Sequence, residues 1–545
     1  MIITANGNKI EELQEELLPV KIIDSHGVEN VEGLMKQHFS NIPSGLSFVP
    51  SGWTGFQKEG SYAVLDFGRE LCGGIRMIVR SAKTPTRWRV TFGESLSEAC
   101  STIGEKNATN DHSPRDFEIQ TSNMSDLKFG QTGFRFVRLE LLEDTAALLQ
   151  SIFATSYLPI FHSEAKIVTN DNLLNDIIET AAYTLKLNFQ NGYIWDGIKR
   201  DRLVWCGDLH PEILTSLYLF GDSDNIKNSL TFLRETTDHT RWINNIPSYS
   251  AWWVINLCEH YCITGNQEFF NENREYALEI LKRLDRCIED DGEANFEVVN
   301  GMDYFLDWST HSHQDAKVGV NALLCWMAQR FLDLEENENC RNILKKLSFC
   351  VDVGTTLKPV RAFQVLAGRN QAEEDAEMLA EKGAKGFSTF MAYYILRAMA
   401  AAGSKDMLTV LKEYYGGMLS RGATTFWEDF DIEWLEGSGR IDEFPKEGER
   451  DIHGDFGKYC YKQFRHSLCH GWSAGVLAFI IEHVVGLHLE DGGNVVSLSP
   501  HMLGLTDIEA QFPVAKGVIK ISIHDDKVNV SVPDGMIIKD YTKKA

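Results

Sequence analysis

The stretch FSTFMAYYI (residues 387–395) decides the character of the largest part of this chain. Its apolar residues recur at intervals of three and four, which places them on one side of a helix. They are Phe387, Phe390, Met391, Tyr394 and Ile395. The same period extends from about residue 165 to residue 488, and this region is therefore predicted to be helical.

A short glycine-containing motif recurs between the predicted helices and marks their ends. The tetrapeptides LFGD, ITGN, LAGR and AAGS each place a glycine where a helix would end in a left-handed cap, and a polar residue follows that can open the next helix. They lie at 219–222, 263–266, 366–369 and 401–404. Helical hairpins in series form either a solenoid or a closed toroid. The many aromatic and small residues favour a toroid.

The period is different on both sides of the helical region. The segments 62–66, 76–80, 87–92 and 133–140 are short and β-like, and glycines at 68, 73, 74 and 93 break the sequence between them. Near the other end, isoleucines alternate over 519–523 and valines over 528–532, which predicts a hairpin. We expect three domains: a β-sandwich over 1–164, an (α/α)6 helical barrel over 165–488 and a second β-sandwich over 489–545.

Composition limits the possible partners. With 545 residues the chain is too long for one ordinary core, and 78 acidic against 53 basic residues give a net charge of −25. Such a surface repels nucleic acid and anionic membranes, so neither is expected as a partner. No nucleotide-binding glycine motif appears, and no cofactor is expected. A homodimer is compatible with such a chain.

The first residues and the cysteines indicate the compartment. Residues 1–20 have no basic segment followed by an apolar one, and no apolar run approaches a membrane span. The 11 cysteines are scattered and form no disulfide-like framework. A soluble, cytoplasmic protein with reduced thiols is predicted.

The densest cluster of functional residue types is WDGIKRDRLVWCGD (195–208). Indole faces cover the apolar side of a pyranose, while carboxylates and guanidinium groups bond its hydroxyls. The alternative is a salt-bridged helix start whose tryptophans belong to the core, because surface ion pairs are common.

A second cluster comprises GATTFWEDFD (422–431) and SLCHGW (467–472). Glu428 after a tryptophan, with His470 downstream, suggests a partner carboxylate and a ligand for a hydroxyl group. An acidic surface loop explains the first of these segments equally well.

Together the two clusters resemble the α-L-rhamnosidases of glycoside hydrolase family seventy-eight. That family has an Asp, then Arg-carboxylate-Arg-Leu-Gly-Trp-x-Gly-Asp, and later Thr-Thr-x-Trp-Glu and Asn-His-x-x-x-Gly. This chain offers Asp196, RDRLVWCGD (200–208), TTFWE (424–428), and Cys469-His470 with Gly475. The resemblance implies inverting hydrolysis of terminal α-L-rhamnosyl linkages in small glycosides, within an (α/α)6 barrel flanked by β-sandwiches.

The resemblance also assigns roles. It puts Asp201 at the general-acid position and Glu428 at the general-base position. Residues expected to bind the sugar or to tune the acid are Asp196, Arg200, Trp205, Asp208, Asp307, Trp308, Trp427 and His470. Trp252 and Trp253 are added here as candidate aromatic platforms.

The chain departs from the family pattern at several positions. The acid position is usually Glu and is Asp201 here, Val204 stands for Gly, and Cys469 stands for Asn. Hydrolysis is still expected, but rival readings stay open. They are an (α/α)-barrel enzyme for another deoxy-sugar or a uronic acid, a lyase, and a non-catalytic sugar-binding protein. No metal is expected, since His311-Ser-His313 with Asp315 is a weak ligand set.

Overall fold

The computed structural model describes residues 2–3, 9–10, 12–36, 52–80, 85–298, 301–525 and 527–539. Sheets occupy the two ends of the chain and helices its centre, so the protein is a multidomain α and β protein. The strands are β1 (Ile2–Ile3), β2 (Lys9–Ile10), β3 (Glu12–Leu17), β4 (Lys21–His26), β5 (Val28–Glu29), β6 (Thr54–Phe56), β7 (Tyr62–Val79), β8 (Thr86–Gly93), β9 (Asp116–Thr121), β10 (Ser125–Leu141), β11 (Ala147–Pro159), β12 (Lys166–Thr169), β13 (Phe189–Gln190), β14 (Tyr193–Ile194), β15 (Leu487–Glu490), β16 (Val495–Leu498), β17 (Asp507–Val514), β18 (Gly517–His524), β19 (Lys527–Ser531) and β20 (Ile537–Ile538).

The N-terminal strands form one nine-stranded sheet that folds back on itself. Its order is β5-β6-β11-β7-β10-β8-β9, with β3 on β11 and β4 on β7. Phe56 on β6 and Trp88 on β8 are separated by three strands in this order, yet their rings meet edge to face at 5.0 Å. The two ends of the sheet therefore enclose one apolar core.

The segments 62–66 and 76–80 belong to one bent strand, β7, and not to two separate strands. Glycines allow the strand to continue because neighbouring strands come very close. A Cβ at Gly73 would lie 1.9 Å from the carbonyl oxygen of Thr155, and one at Gly74 would lie 2.2 Å from that of Gly130. These glycines mark close backbone approach inside the sheet instead of strand ends.

The α-helices lie mainly between residues 172 and 479. They are α1 (Leu96–Ala99), α2 (Asn172–Asn188), α3 (Leu209–Phe220), α4 (Asp224–Thr236), α5 (Pro247–Thr264), α6 (Gln267–Cys287), α7 (Ala316–Leu332), α8 (Glu338–Leu347), α9 (Lys358–Leu366), α10 (Ala372–Ala380), α11 (Thr389–Ala401), α12 (Met407–Ser420) and α13 (Gly475–Phe479). The four predicted glycine breakers follow α3, α5, α9 and α11. Each has a positive φ, from 64° at Gly265 to 101° at Gly368, which confirms them as helix ends.

Six helices contact one another in a closed ring. Helix α3 contacts α5, and the series continues through α7, α9, α11 and α13, which returns to α3. Ring helices are buried on nearly all sides, as in α3, where every residue is buried. Helices outside the ring are amphipathic, as in α8, which buries only Cys340, Ile343 and Leu347.

The C-terminal strands form two small sheets. The predicted hairpin is confirmed, since β18 pairs with β19 and Ile521 faces Val530 across the strands. The other edge of this sheet is β12, which precedes the helices and pairs with β17. This four-stranded sheet thus joins a strand that precedes the helices to strands that follow them.

Two further observations concern the cysteines and the helices. All 11 cysteines are free thiols. In the part of the chain that the structure describes, no helix combines the length and the apolar character needed to cross a membrane.

Candidate active site

A cavity of about 200 Å³ opens at one end of the helix ring. The segments that form it precede the N-termini of ring helices, so both sequence clusters meet there although they are far apart in the chain. Its lining comprises Asp196, Arg200, Asp201, Trp205, Asp208, Asn244, Ile246, Tyr249, Met302, Phe305, Trp308, Glu428, Cys460, Tyr461, His470 and Trp472.

The cavity has a buried floor and an open side. Asp196, Asp208, Glu428 and His470 are each at most 3% exposed. The Asp201 side chain is 19% exposed, and Trp205 beside it is half-buried. A ligand therefore enters past Asp201 and reaches the other carboxylates at the bottom.

Arg200 joins the two predicted catalytic carboxylates. Its Nη1 donates a hydrogen bond to Asp201 Oδ1 at 3.0 Å, and its Nη2 donates to Glu428 Oε1. Burial opposes a charge on Arg200, but Glu428 and Asp201 together hold the pKa of the guanidinium above its ordinary value. Two acids separated by 226 intervening residues thus flank one guanidinium group in a single cavity.

Hydrogen bonds hold both the side chain and the backbone of Glu428 in place. The backbone N–H of Ser467 donates to Glu428 Oε2 at 2.9 Å, and the indole N–H of Trp472 donates to its carbonyl oxygen at 3.1 Å. Burial raises the pKa of Glu428, while the charge of Arg200 opposes that shift.

Asp201 lies in a turn that sequence propensities do not favour. Asp201 and Arg202 both have left-handed backbone conformations, with φ of 53° and 58°. Such strain is tolerated where surrounding contacts fix it, and it is concentrated at functional sites. Trp205 Nε1 donates to Asp201 Oδ2 at 3.2 Å, and His112 Nδ1 lies 3.4 Å from Asp201 Oδ1.

His470 lies between three carboxylates on the cavity floor. Its Nε2 is 3.7 Å from Asp196 Oδ2, 3.9 Å from Asp208 Oδ2 and 3.7 Å from Glu428 Oε1. Burial and the neighbouring carboxylates raise the pKa of both Asp196 and Asp208 well above the ordinary value. Burial also lowers the pKa of His470, so the imidazole is neutral. The floor therefore offers hydrogen-bond donors and acceptors that suit the hydroxyl groups of a sugar.

Asp307 and Trp308 border a second cavity of about 210 Å³. This cavity shares Trp308, Glu428, Tyr461 and Trp472 with the first. Asp307 accepts hydrogen bonds from the Ser309 and Ser388 hydroxyls at 2.6 and 2.7 Å, which holds the Asp307-Trp308 pair at the shared wall.

Three predicted binding residues line neither cavity. Trp252 and Trp253 are 0% exposed and Trp427 is 1% exposed. Trp252 and Trp253 lie more than a turn beyond the N-terminus of α5, where the ring helices pack on one another; Trp253 donates to the carbonyl oxygen of Leu230 at 3.1 Å. Trp427 packs edge to face on Phe430 in the core. The prediction of these three tryptophans as binding residues is wrong.

Several wall residues were missed by the sequence reasoning. Tyr249, Tyr461 and Trp472 line the cavity, and His112, from the N-terminal sheet region, contacts Asp201. Trp472 lies within the quoted segment SLCHGW (467–472) and could have been found there. His112 has no such signal, because it lies in a loop before β9 with no motif around it.

Two groups of side chains within the described residues could hold a cation. Asp196, Asp208 and His470 place ligand atoms within 4.8 Å of one another, as do Glu94, Glu98 and His453. The Lys199 ammonium already lies between the two glutamates, 2.9 Å from Glu94 and 3.1 Å from Glu98. The sequence set of His311, His313 and Asp315 is not among these groups.

A ring of helices thus carries two carboxylates, Asp201 and Glu428, that face one cavity. Residues 162–331 match the family model described as the bacterial α-L-rhamnosidase six-hairpin glycosidase domain. This part of the chain is similar to the glycosidase domain of the bacterial α-L-rhamnosidases, and the resemblance seen in the sequence is confirmed.

Solved structures share the fold at low sequence identity. A family-seventy-eight rhamnosidase from Bacillus sp. GL1 has a TM-score of 0.71 at 19% identity, over 94% of this chain and 57% of that one. A Klebsiella oxytoca rhamnosidase with rhamnose bound has 0.68 at 17%, over 87% and 96%. A Streptomyces avermitilis α-L-rhamnosidase complexed with L-rhamnose has 0.66 at 14%, over 97% and 50%. No curated protein matches the chain by sequence.

Proposed function

We propose that the protein hydrolyses terminal α-L-rhamnosyl linkages in small glycosides, with inversion, using Asp201 as general acid and Glu428 as general base. The observation that carries the proposal is the pair of hydrogen bonds from Arg200 to both carboxylates across one cavity. A guanidinium between two acids keeps them apart, in keeping with the separation of roughly 6.5–9.5 Å that leaves room for water in inverting enzymes.

In this mechanism the sugar lies on the floor formed by Asp196, Asp208 and His470. Asp201 gives its proton to the glycosidic oxygen as the bond between that oxygen and the anomeric carbon breaks. Glu428, kept available as a base by Arg200, takes a proton from the water that attacks the opposite face. Trp205 and Trp308 supply apolar faces for the ring.

The depth of the site supports a terminal sugar and a small glycoside. The acceptor carboxylates lie at the buried end and Asp201 at the open end, so one sugar enters and its leaving group stays outside. We propose further that the helix ring and its outer partners form an (α/α)6 barrel over 165–488, between β-sandwich domains at 1–164 and 489–545.

The deciding experiment is a panel of para-nitrophenyl glycosides that includes α-L-rhamnoside, other deoxy-sugars and uronic acids. The α-L-rhamnoside should have the highest kcat/KM, and NMR should detect the β-anomer of rhamnose first. Release of the α-anomer would contradict inversion, and a different preferred sugar would contradict the substrate.

The rival readings have less support from the contacts. Arg200 already forms ion pairs with Asp201 and Glu428, so its charge is balanced without the carboxylate of a uronic acid. Binding of rhamnose without turnover of any glycoside would favour a non-catalytic sugar-binding protein. A product with new ultraviolet absorbance would favour a lyase.

A further inference from the structure

One histidine of the N-terminal sheet region reaches the candidate active site. His112 belongs to the loop before β9, and its Nδ1 lies 3.4 Å from Asp201 Oδ1. The His112 side chain is 30% exposed and that of Asp201 is 19% exposed, so both stand at the open side of the cavity. None of the sequence motifs includes this contact.

The loop that carries His112 is built to hold it there. Asn110 Oδ1 accepts hydrogen bonds from the backbone N–H groups of Arg115 and Asp116, at 2.9 and 3.1 Å. Ser113 Oγ donates to the carbonyl oxygen of Gln131 at 2.6 Å. His112 itself has a left-handed backbone, with φ of 68°. A strained residue fixed by its neighbours at the edge of a site is typical of a functional position.

We propose that His112 is a positioning residue for the general acid, on the side where the leaving group departs. The inference rests on the proposed role of Asp201. The imidazole Nδ1 of His112 lies 3.4 Å from Asp201 Oδ1, and the indole N–H of Trp205 donates to Oδ2, so the two side chains together restrict the position of the carboxyl group.

The same contacts assist proton transfer. When Asp201 gives its proton to the glycosidic oxygen, the carboxyl group becomes a carboxylate, and the leaving group departs as a neutral alcohol. The donors on Arg200, His112 and Trp205 then stabilise the negative charge that develops on Asp201. The contribution of His112 should therefore grow with the need of the leaving group for a proton.

Leaving-group dependence tests the proposal. Rates for phenyl and 2,4-dinitrophenyl α-L-rhamnosides are compared in the wild type, His112→Gly and His112→Asn. Glycine keeps the left-handed backbone without a side chain, and asparagine keeps both that backbone and an N–H donor. His26→Ala, in the same sheet region and outside the cavity, is the control.

We expect His112→Gly to lower kcat for the phenyl glycoside by about tenfold, a part of the roughly 10²–10⁴-fold that general acid catalysis contributes, and kcat for the dinitrophenyl glycoside by less than about threefold. His112→Asn should recover much of the loss, and His26→Ala should match the wild type. Equal loss on both substrates, or no loss, would overturn the proposal. If the wild type prefers another sugar, the proposed substrate fails, and the same comparison on that sugar's aryl glycosides still tests His112.

Discussion

The carboxylate of Glu94, just after β8 in the N-terminal sheet, accepts a hydrogen bond from the backbone N–H of Leu468 at 2.6 Å. The hydroxyl of Ser467 also donates to Glu94, at 3.0 Å, and the backbone N–H of Ser467 donates to Glu428. A glutamate of the sheet thus fixes the segment that orients the proposed base. The sheet is a structural part of the site.

Glu94→Ala should lower kcat because the 467–470 segment loses two hydrogen bonds and Glu428 shifts. Displacements of about 1 Å in catalytic groups lower rates by as much as ~10²-fold, so a loss of 10- to 100-fold is expected, with a smaller change in KM. Steady-state kinetics on an aryl rhamnoside measures both. Glu94→Gln keeps an acceptor oxygen and should lose less; an equal loss in the two variants would argue against positioning.

Asp201→Asn should remove protonation of the leaving group while leaving the fold intact, since the two side chains have the same shape. General acid catalysis contributes about 10²–10⁴-fold, and the loss on a phenyl glycoside should lie in that range. Glu428→Gln should lower the rate on phenyl and dinitrophenyl glycosides alike, because water activation is needed for both. Near-full turnover by Asp201→Asn would rule out its assignment as the acid.

The residues that sequence reasoning brought together correctly are those within short motifs. The segment 195–208 supplies five residues that line one cavity: Asp196, Arg200, Asp201, Trp205 and Asp208. Because these residues are close in sequence, they also lie close together in the structure.

The sequence did not predict how deeply each side chain is buried or which contacts form between distant segments of the chain. Trp252 and Tyr249 both lie on α5, but only Tyr249 lines the cavity. Trp252 is three residues further along the helix, so its side chain packs in the core away from the cavity. His112 reaches the site through the packing of a sheet loop on the helical region. No periodicity or spacing encodes that contact.

Chelation should leave activity unchanged. Asp196, Asp208 and His470 could hold a cation by geometry, but the raised pKa of each carboxyl group and the neutral imidazole suit sugar hydroxyls. Dialysis against EDTA, followed by assay and elemental analysis, is the measurement. Activity lost on dialysis and restored by one divalent ion would establish a metal at this floor.

Lys199→Met should destabilise the protein. Its ammonium lies between Glu94 and Glu98, and removing one partner of a buried ionic cluster costs about 3–5 kcal/mol. Burial raises the pKa of Glu94 to about 7, so the loss should be smaller at pH 5, where that group is protonated. Urea denaturation at pH 5 and pH 8 tests this, with exposed Lys58→Met as the control. The same loss at both pH values would contradict the role of Glu94.

Asp429, in the second cavity beside Glu428, should make stability depend on pH. Burial, with the charges of Asp307 and Glu428, raises the pKa of Asp429 to about 7 from an ordinary value of 3.8. Between these values the folded protein binds a proton that the unfolded chain has lost, so the contribution of this group to stability falls as pH rises. Above about pH 7 the loss is complete.

Asp429→Asn removes this titration and keeps the shape of the side chain. Its melting temperature should be close to that of the wild type at pH 4 and should exceed it increasingly up to pH 7, after which the difference stays constant. The expected gain is on the order of 1–2 kcal/mol, reduced from the full shift because the side chain is only partly buried. Thermal unfolding of both proteins from pH 4 to pH 8 measures the difference, and Asp303→Asn, a matched change at another aspartate, controls for loss of charge alone. A difference that does not vary with pH would mean that Asp429 is ionised in the folded protein throughout this range.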